Sequence, residues 1–289
     1  EALKLSLSPD RDSAESSCIA ERALPSLWYS LAVPAPLFVI LPHGLNVSGV
    51  TLWAVRLVNT LAARGRTCAL MLHPEPTDQR RLNVEFHPRV QVIAPPGIPS
   101  LDAYPSNFAP FIATYRDAIR HLSGSSRRPV VVSPNLLGDC YGLVAALCIT
   151  EPEVVRVVGW QHADIEYDAR VLAHYEPVIA SFVAVSRKIH ATIAARLPQR
   201  SADIHHIPYG VPIPEGAADR RSVLDAERPS SGSQASALRL LYSGRIEHHQ
   251  KRIMALPLLS AELDRRGIAH RLTIVGDGPA SQELDAAVV

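Results

Sequence analysis

The sequence predicts an α/β protein made of two Rossmann-like, doubly wound parallel-sheet domains, the second of them incomplete. Three observations lead there. Short continuous apolar runs alternate with stretches of helical period, and that order builds parallel sheets covered on both faces. The alternation stops in a Pro-, Ser- and Gly-rich stretch before residue 238 and then restarts. The chain, at 289 residues, is also longer than one typical domain.

Residues 1–33 open polar (SPDRDSAESS), hold no sustained period and read as an extension. Leu37 to Leu41 is a continuous apolar run, the mark of a strand buried on both faces. A helix follows in which Ala54, Leu57, Val58 and Leu61 recur on one face. Gly65 ends it, and a strand at 67–72 completes a βαβ unit. Further strands are expected at 90–93, 130–132, 154–160, 182–185 and 204–207, with helices at 111–122, 141–150, 168–176 and 187–196. The first domain is then 34–211, and 212–237 is a linker whose RPSSGSQAS segment is flexible by composition. The second domain, 238–289, has strands at 238–242 and 271–275 around a helix at 254–266 with Leu256, Leu259 and Leu263 as its apolar stripe, and a last helix begins after them. Two parallel strands and one crossover fall short of a stable sheet, so this domain is expected to be truncated. A chain that opens on Glu1 rather than Met fits a piece of something longer.

The bulk numbers exclude several classes. A net charge of +1 supplies no basic surface for nucleic acid. The most apolar stretch, Leu31 to Leu41, is broken by Pro34 and Pro36 and falls far short of the roughly 20 residues a membrane-spanning helix needs. The four cysteines (Cys18, Cys68, Cys140 and Cys148) form no CxxC pair. Buried thiols in a reducing cytosol are expected, not a disulfide framework or a metal site.

In open parallel sheets ligands bind beyond the carboxyl ends of the strands, so four loops bear the chemistry. The first, His43 to Thr51, places Gly49 before a helix, where backbone N–H groups can approach an anion; a plain strand–helix turn has the same sequence. The second is Gly159 to Glu166. His162, Asp164 and Glu166 could converge on a polar ligand or, with less support, a metal; an ordinary solvated loop is the alternative. The third is Ser243 to Arg252, where Gly244 keeps the turn close and Arg245 with Lys251 or Arg252 can meet on one anionic group. By itself it also reads as a solvated basic loop. The adjacent pairs His205-His206 and His248-His249 would point apart in extended backbone and form no metal site. The fourth, Val275-Gly276-Asp277-Gly278-Pro279, admits close approach of a base or sugar, or is a tight turn.

In their order, these loops resemble those of the family 4 glycosyltransferases of the GT-B fold, over residues 37–289. The family's GGV loop corresponds to Ser48-Gly49-Val50, its IPNGVP stretch to Ile207 through Pro212, its GR…K loop to Tyr242 through Lys251, and its VGDGP to Val275 through Pro279. The resemblance implies transfer of a sugar from a nucleotide-sugar donor with retention at the anomeric carbon. Arg245 and Lys251 would hold the donor pyrophosphate, and Gly49 would let its loop close over the same phosphates. Gly244, Gly276, Asp277 and Gly278 would line the nucleotide. His162 would contact the transferred sugar as a catalytic residue, and Asp164 would orient donor or acceptor. No metal and no further cofactor is expected, since the cationic side chains take the metal's place. The acceptor would be a glycan, a lipid-linked molecule or a small molecule. Location would be cytoplasmic, with contact at the inner face of the membrane resting on analogy alone.

Three departures stand out. Ser48 replaces the first Gly, Tyr209 replaces the usual Asn, and the Arg–Lys spacing is one residue longer, which leaves Lys251 and Arg252 both open as the phosphate ligand. The family's acidic pair belongs downstream of VGDGP and is absent from the sequence. Two other classes remain: a sugar-nucleotide epimerase of the same fold, and a non-catalytic nucleotide- or glycan-binding module. A NAD-binding domain fits less well, because no GxGxxG follows a strand.

Overall fold

The computed structural model describes residues 34–75, 81–97, 109–125, 127–135, 138–211, 237–248 and 251–288. The expected extension 1–33, linker residues 212–236, Cys18, His249 and Gln250 lie outside them. The chain divides into two compact units between Gly210 and Val211.

The first unit follows the expected alternation: β1 (Leu37–Leu41), α1 (Gly49–Ala63), β2 (Cys68–Leu72), β3 (Val90–Ile93), α2 (Ala109–Ser123), β4 (Val130–Ser133), α3 (Gly138–Thr150), β5 (Val155–Gln161), α4 (Glu166–His174), β6 (Ile179–Ala184), α5 (Arg187–Arg196) and β7 (Ile204–His206). The strands form one parallel sheet in the order β3-β2-β1-β4-β5-β6-β7. Its first six positions are the Rossmann order, with the reversal between β1 and β4.

The apolar runs explain the layers. Side chains alternate across a strand, so Leu37, Val39 and Leu41 face one side with Leu70 and α1. Phe38 and Ile40 face the other with Met71, α2 and α3. Every residue of β1 and β2 is buried. The inner face of α1 is Thr51, Ala54, Val55, Val58 and Ala62, whereas Leu57 and Leu61 flank it half-buried. The stripe is turned from the expected one because small residues let the helix sit close to the sheet.

Gly159 does the same for α4. A Cβ there would lie 2.8 Å from Leu172 Cδ2 and 3.2 Å from Ile179 Cδ1.

The second unit holds β8 (Leu238–Ser243), α6 (Ala255–Arg265), β9 (His270–Val275) and α7 (Ser281–Val288). β8 and β9 pair in parallel from Leu238↔His270 to Ser243↔Val275. A small core gathers Ile246, Ile253, Ala280 and Leu284, with Leu256 packed against it. Leu259, expected in the α6 stripe, is instead 43% exposed. Inward positions go to Leu256, Ser260 and Leu263, all half-buried.

Cys68 and Cys140 are buried, and burial pushes the Cys68 and Cys148 thiols up to about 11. Among the described residues no helix is long and apolar enough to cross a membrane.

Gly159→Ala is expected to cost about 1–3 kcal/mol through overpacking between β5 and α4, read from the midpoint of chemical denaturation. An unchanged midpoint would refute the close-packing role.

Candidate functional site

Where the strand order reverses, the loops after β1 and β4 diverge and leave a crevice. A cavity of about 60 Å³ opens there, lined by His43, Asn46, Ser48, Thr51 and Asn135 among others. The β1 loop is held by its neighbours. Gly44 has φ +56°, and a Cβ on it would lie 2.6 Å from the His73 carbonyl oxygen, so only glycine fits. The Leu45 N–H donates to Glu75 Oε1 at 3.0 Å.

Ser48 is the N-cap of α1: its Oγ accepts the Thr51 N–H at 3.0 Å, and Thr51 Oγ1 donates to Asn46 Oδ1 at 2.8 Å. This gives a physical reason for serine where the family pattern has glycine, since a hydroxyl satisfies a helix N–H that glycine cannot. Gly49 is exposed, has no left-handed backbone angle, and a Cβ there would meet no protein atom within 4 Å. Neither backbone nor packing demands glycine at this position.

His162 lies just past β5, near the carboxyl end of β4. Its Nε2 is 2.8 Å from Asn135 Oδ1, and its Nδ1 is 2.5 Å from the Tyr209 hydroxyl. Asn135 is buried and left-handed, with φ +54°, a conformation Asn tolerates better than most residues. Three aromatic rings surround the imidazole. Trp53 of α1 meets it edge-on at 4.6 Å, while Trp160 and Tyr209 lie near-parallel at 5.9 and 5.8 Å. Burial in this setting pushes the His162 pKa down to about 4, so the ring is neutral at physiological pH.

Asp164 points elsewhere. It pairs with Lys188 Nζ at 2.6 Å, and Glu166 pairs through both oxygens with Arg196 at 3.0 Å. The three side chains that the sequence offered as one convergent set therefore share no partner. Among the described residues no cluster of three His, Cys, Asp or Glu could hold a metal.

The backbone between them is gripped twice. Gln161 Nε2 donates to the Ala163 carbonyl at 3.0 Å, and the buried Asp168 carboxylate accepts the Ala163 N–H. The second oxygen of Asp168 has no hydrogen-bond partner among the described residues, and burial raises this carboxyl to about 6.

In the second unit, the loop after β8 interlocks with the loop after β9. Gly244 N–H donates to Val275 O and Ile246 N–H to Asp277 O, both at 3.0 Å. A Cβ on Gly276 would lie 1.8 Å from Gly244 O, and one on Gly278 2.1 Å from Ile246 O. These two glycines are thus required by the protein's own backbone. Asp277 Oδ1 accepts the Gly278 N–H at 2.8 Å. Gly244 lets the Tyr242 ring fold over the turn, where its hydroxyl donates to Arg245 O at 2.8 Å. Arg245, Lys251 and Arg252 are exposed, and the Lys251 N–H donates to Glu247 Oε1 at 2.7 Å.

Asn135, Tyr209, Asp168 and the two tryptophans were not singled out as site residues by sequence. Asn135 ends the SPN turn and Tyr209 stands at the family's Asn position, which were the available signals.

No family model matches the chain, and no curated protein does. Among solved structures it is similar to sucrose-phosphate synthase from Thermosynechococcus elongatus (15% identity, 84% of this chain and 70% of that one, TM-score 0.49). It is also similar to Anabaena HepE in complex with UDP (14%, 88% and 72%, TM-score 0.48). A third is UDP-N-acetylglucosamine 2-epimerase from Rickettsia bellii (9%, 86% and 64%, TM-score 0.41).

The raised carboxyl of Asp168 gives a signed pH effect. Its protonated form contributes stability that is fully present below the unfolded pKa near 3.8 and is lost as pH rises through about 6. Asp168→Asn lacks this loss. The melting temperature of the variant, minus that of the wild type, is expected to grow between pH 4 and pH 7. Groups common to both proteins, His162 included, cancel in that difference. A flat difference would contradict the assignment.

Proposed function

We propose that this chain is a GT-B-type glycosyltransferase that moves a sugar from a nucleotide-sugar donor to an acceptor, with retention at the anomeric carbon. The observation that carries the reading is the switch point of the first sheet. There the open N-terminus of α1, the β4 turn with Asn135 and the β5 loop with His162 come to one end of a Rossmann-ordered sheet. This is where such sheets bind polar small molecules. The ordered family motifs add to it.

Arg245 and Lys251 take the donor pyrophosphate. When the bond between the anomeric carbon and the phosphate oxygen breaks, the leaving nucleoside diphosphate gains negative charge, and fixed cations stabilise it. The required glycines 276 and 278 keep the backbone of that loop in place. Asp277 with these glycines belongs to the nucleotide side, and Gly49, with open space above it, admits a phosphate to the α1 N-terminus. Asp164, tied to Lys188, acts by fixing the loop that carries His162. The buried thiols suit a reducing, cytoplasmic setting, and a lipid-linked acceptor would bring the enzyme to the inner membrane face.

Calorimetric titration with UDP, GDP and their sugars tests the reading. Arg245→Ala is expected to weaken nucleoside diphosphate binding by about ten-fold or more, the worth of one charge-assisted hydrogen bond. Unchanged affinity would sink the phosphate assignment. Donor turnover in the absence of any acceptor would favour an epimerase instead.

A further inference from the structure

The hydrogen bonds through His162 have a direction. A neutral imidazole has one N–H and one acceptor nitrogen. Asn135 Oδ1 can only accept, so Nε2 carries the proton and Nδ1 must accept from the Tyr209 hydroxyl. The phenol has therefore committed its proton inward. Its oxygen keeps lone pairs, on a residue that is 37% exposed, whereas Asn135 at the other end of the chain is buried beside the switch-point cavity. Both nitrogens of His162 are used within the protein. Its ring edges and faces are screened by Trp53, Trp160 and Tyr209.

We propose that Tyr209 is a specificity-determining residue of the site, whose phenolic oxygen accepts a hydrogen bond from a hydroxyl of the sugar ligand, with His162 as the positioning residue behind it. The proposal rests on the glycosyl-transfer reading and moves the sugar contact from His162 to Tyr209. The surroundings agree with it. Trp53 lies 6.1 Å from the Tyr209 ring and 4.5 Å from that of Trp160, giving an aromatic wall of the kind that suits a sugar's apolar face. Burial, with the Asp168 carboxylate nearby, pushes the Tyr209 phenol up to about 12, so it keeps the proton it shares with His162. An end that only accepts selects a neutral hydroxyl and disfavours an anionic oxygen at the same place.

Two measurements test this on the same protein. The first needs no ligand: ¹⁵N NMR of the histidine rings, with His162 assigned by its loss in His162→Gln. The expected result is an Nε2–H tautomer that stays neutral from pH 8 to pH 5. In Tyr209→Phe the Nδ1 acceptor signal should shift and the ring should titrate closer to the ordinary value near 6.5. An Nδ1–H tautomer would mean that the chain runs the other way and that Tyr209 presents its O–H outward as a donor, which overturns the proposal.

The second is calorimetry on wild type and Tyr209→Phe with UDP, GDP, UDP-glucose and GDP-mannose. Sugar-nucleotide affinity is expected to fall about ten-fold while the parent diphosphate binds unchanged. An equal loss for both, or none, overturns the proposal. Wild-type protein that binds none of the four overturns the glycosyl-transfer reading and the ligand half of this one. The NMR result still decides the proton direction on its own.

Discussion

The reversal of strand order between β1 and β4 governs what the first unit can do. The crossover that leaves β1 carries α1 to one face, and the crossovers on the far side of β4 carry their helices to the other. The loops at this junction must part, and the gap between them is a consequence of covering both faces of a parallel sheet. Burial of Phe38, Val39 and Ile40 and the opening beside Asn135 are therefore two results of one constraint. Mobile apolar packing at β1 would blur the crevice as well as the core.

At this gap the protein spends several buried polar groups in an ordered way. Asn135 in a left-handed turn, His162 kept neutral by its aromatic surroundings, and Tyr209 after β7 connect the ends of β4, β5 and β7. Behind them Gln161 and Asp168 hold Ala163 from both sides. Low local dielectric strengthens such satisfied bonds and makes any broken one costly. A rigid polar arrangement follows, suited to presenting hydrogen-bonding groups in fixed positions and ill suited to shuttling protons through the imidazole.

Local pattern accounts for what sequence could anticipate. The strands were legible because a face buried on both sides forces runs such as LFVIL, and α5 because its apolar residues repeat at helical spacing. The α1 stripe was displaced because alanines, weak signals of burial, pack closest to the sheet. Leu259 misled for the opposite reason: a large apolar residue is a strong signal even where it faces outward. The hydrogen bonds from His162 span 27 and 47 residues, and no periodicity encodes contacts that only the sheet brings together. The loop glycines were visible, but whether each one made room for a ligand or for the chain itself depended on the loop facing it.

The interlocked turns after β8 and β9 bear on how these two loops tolerate change. Arg245 projects from a backbone whose path is set by glycines more than thirty residues away in sequence. A side chain at 276 or 278 would displace that backbone, and the guanidinium with it, without altering a single charged group of the loop. Drift in the two loops is consequently correlated. A substitution in the glycine turn would therefore move Arg245 as surely as a change within its own loop.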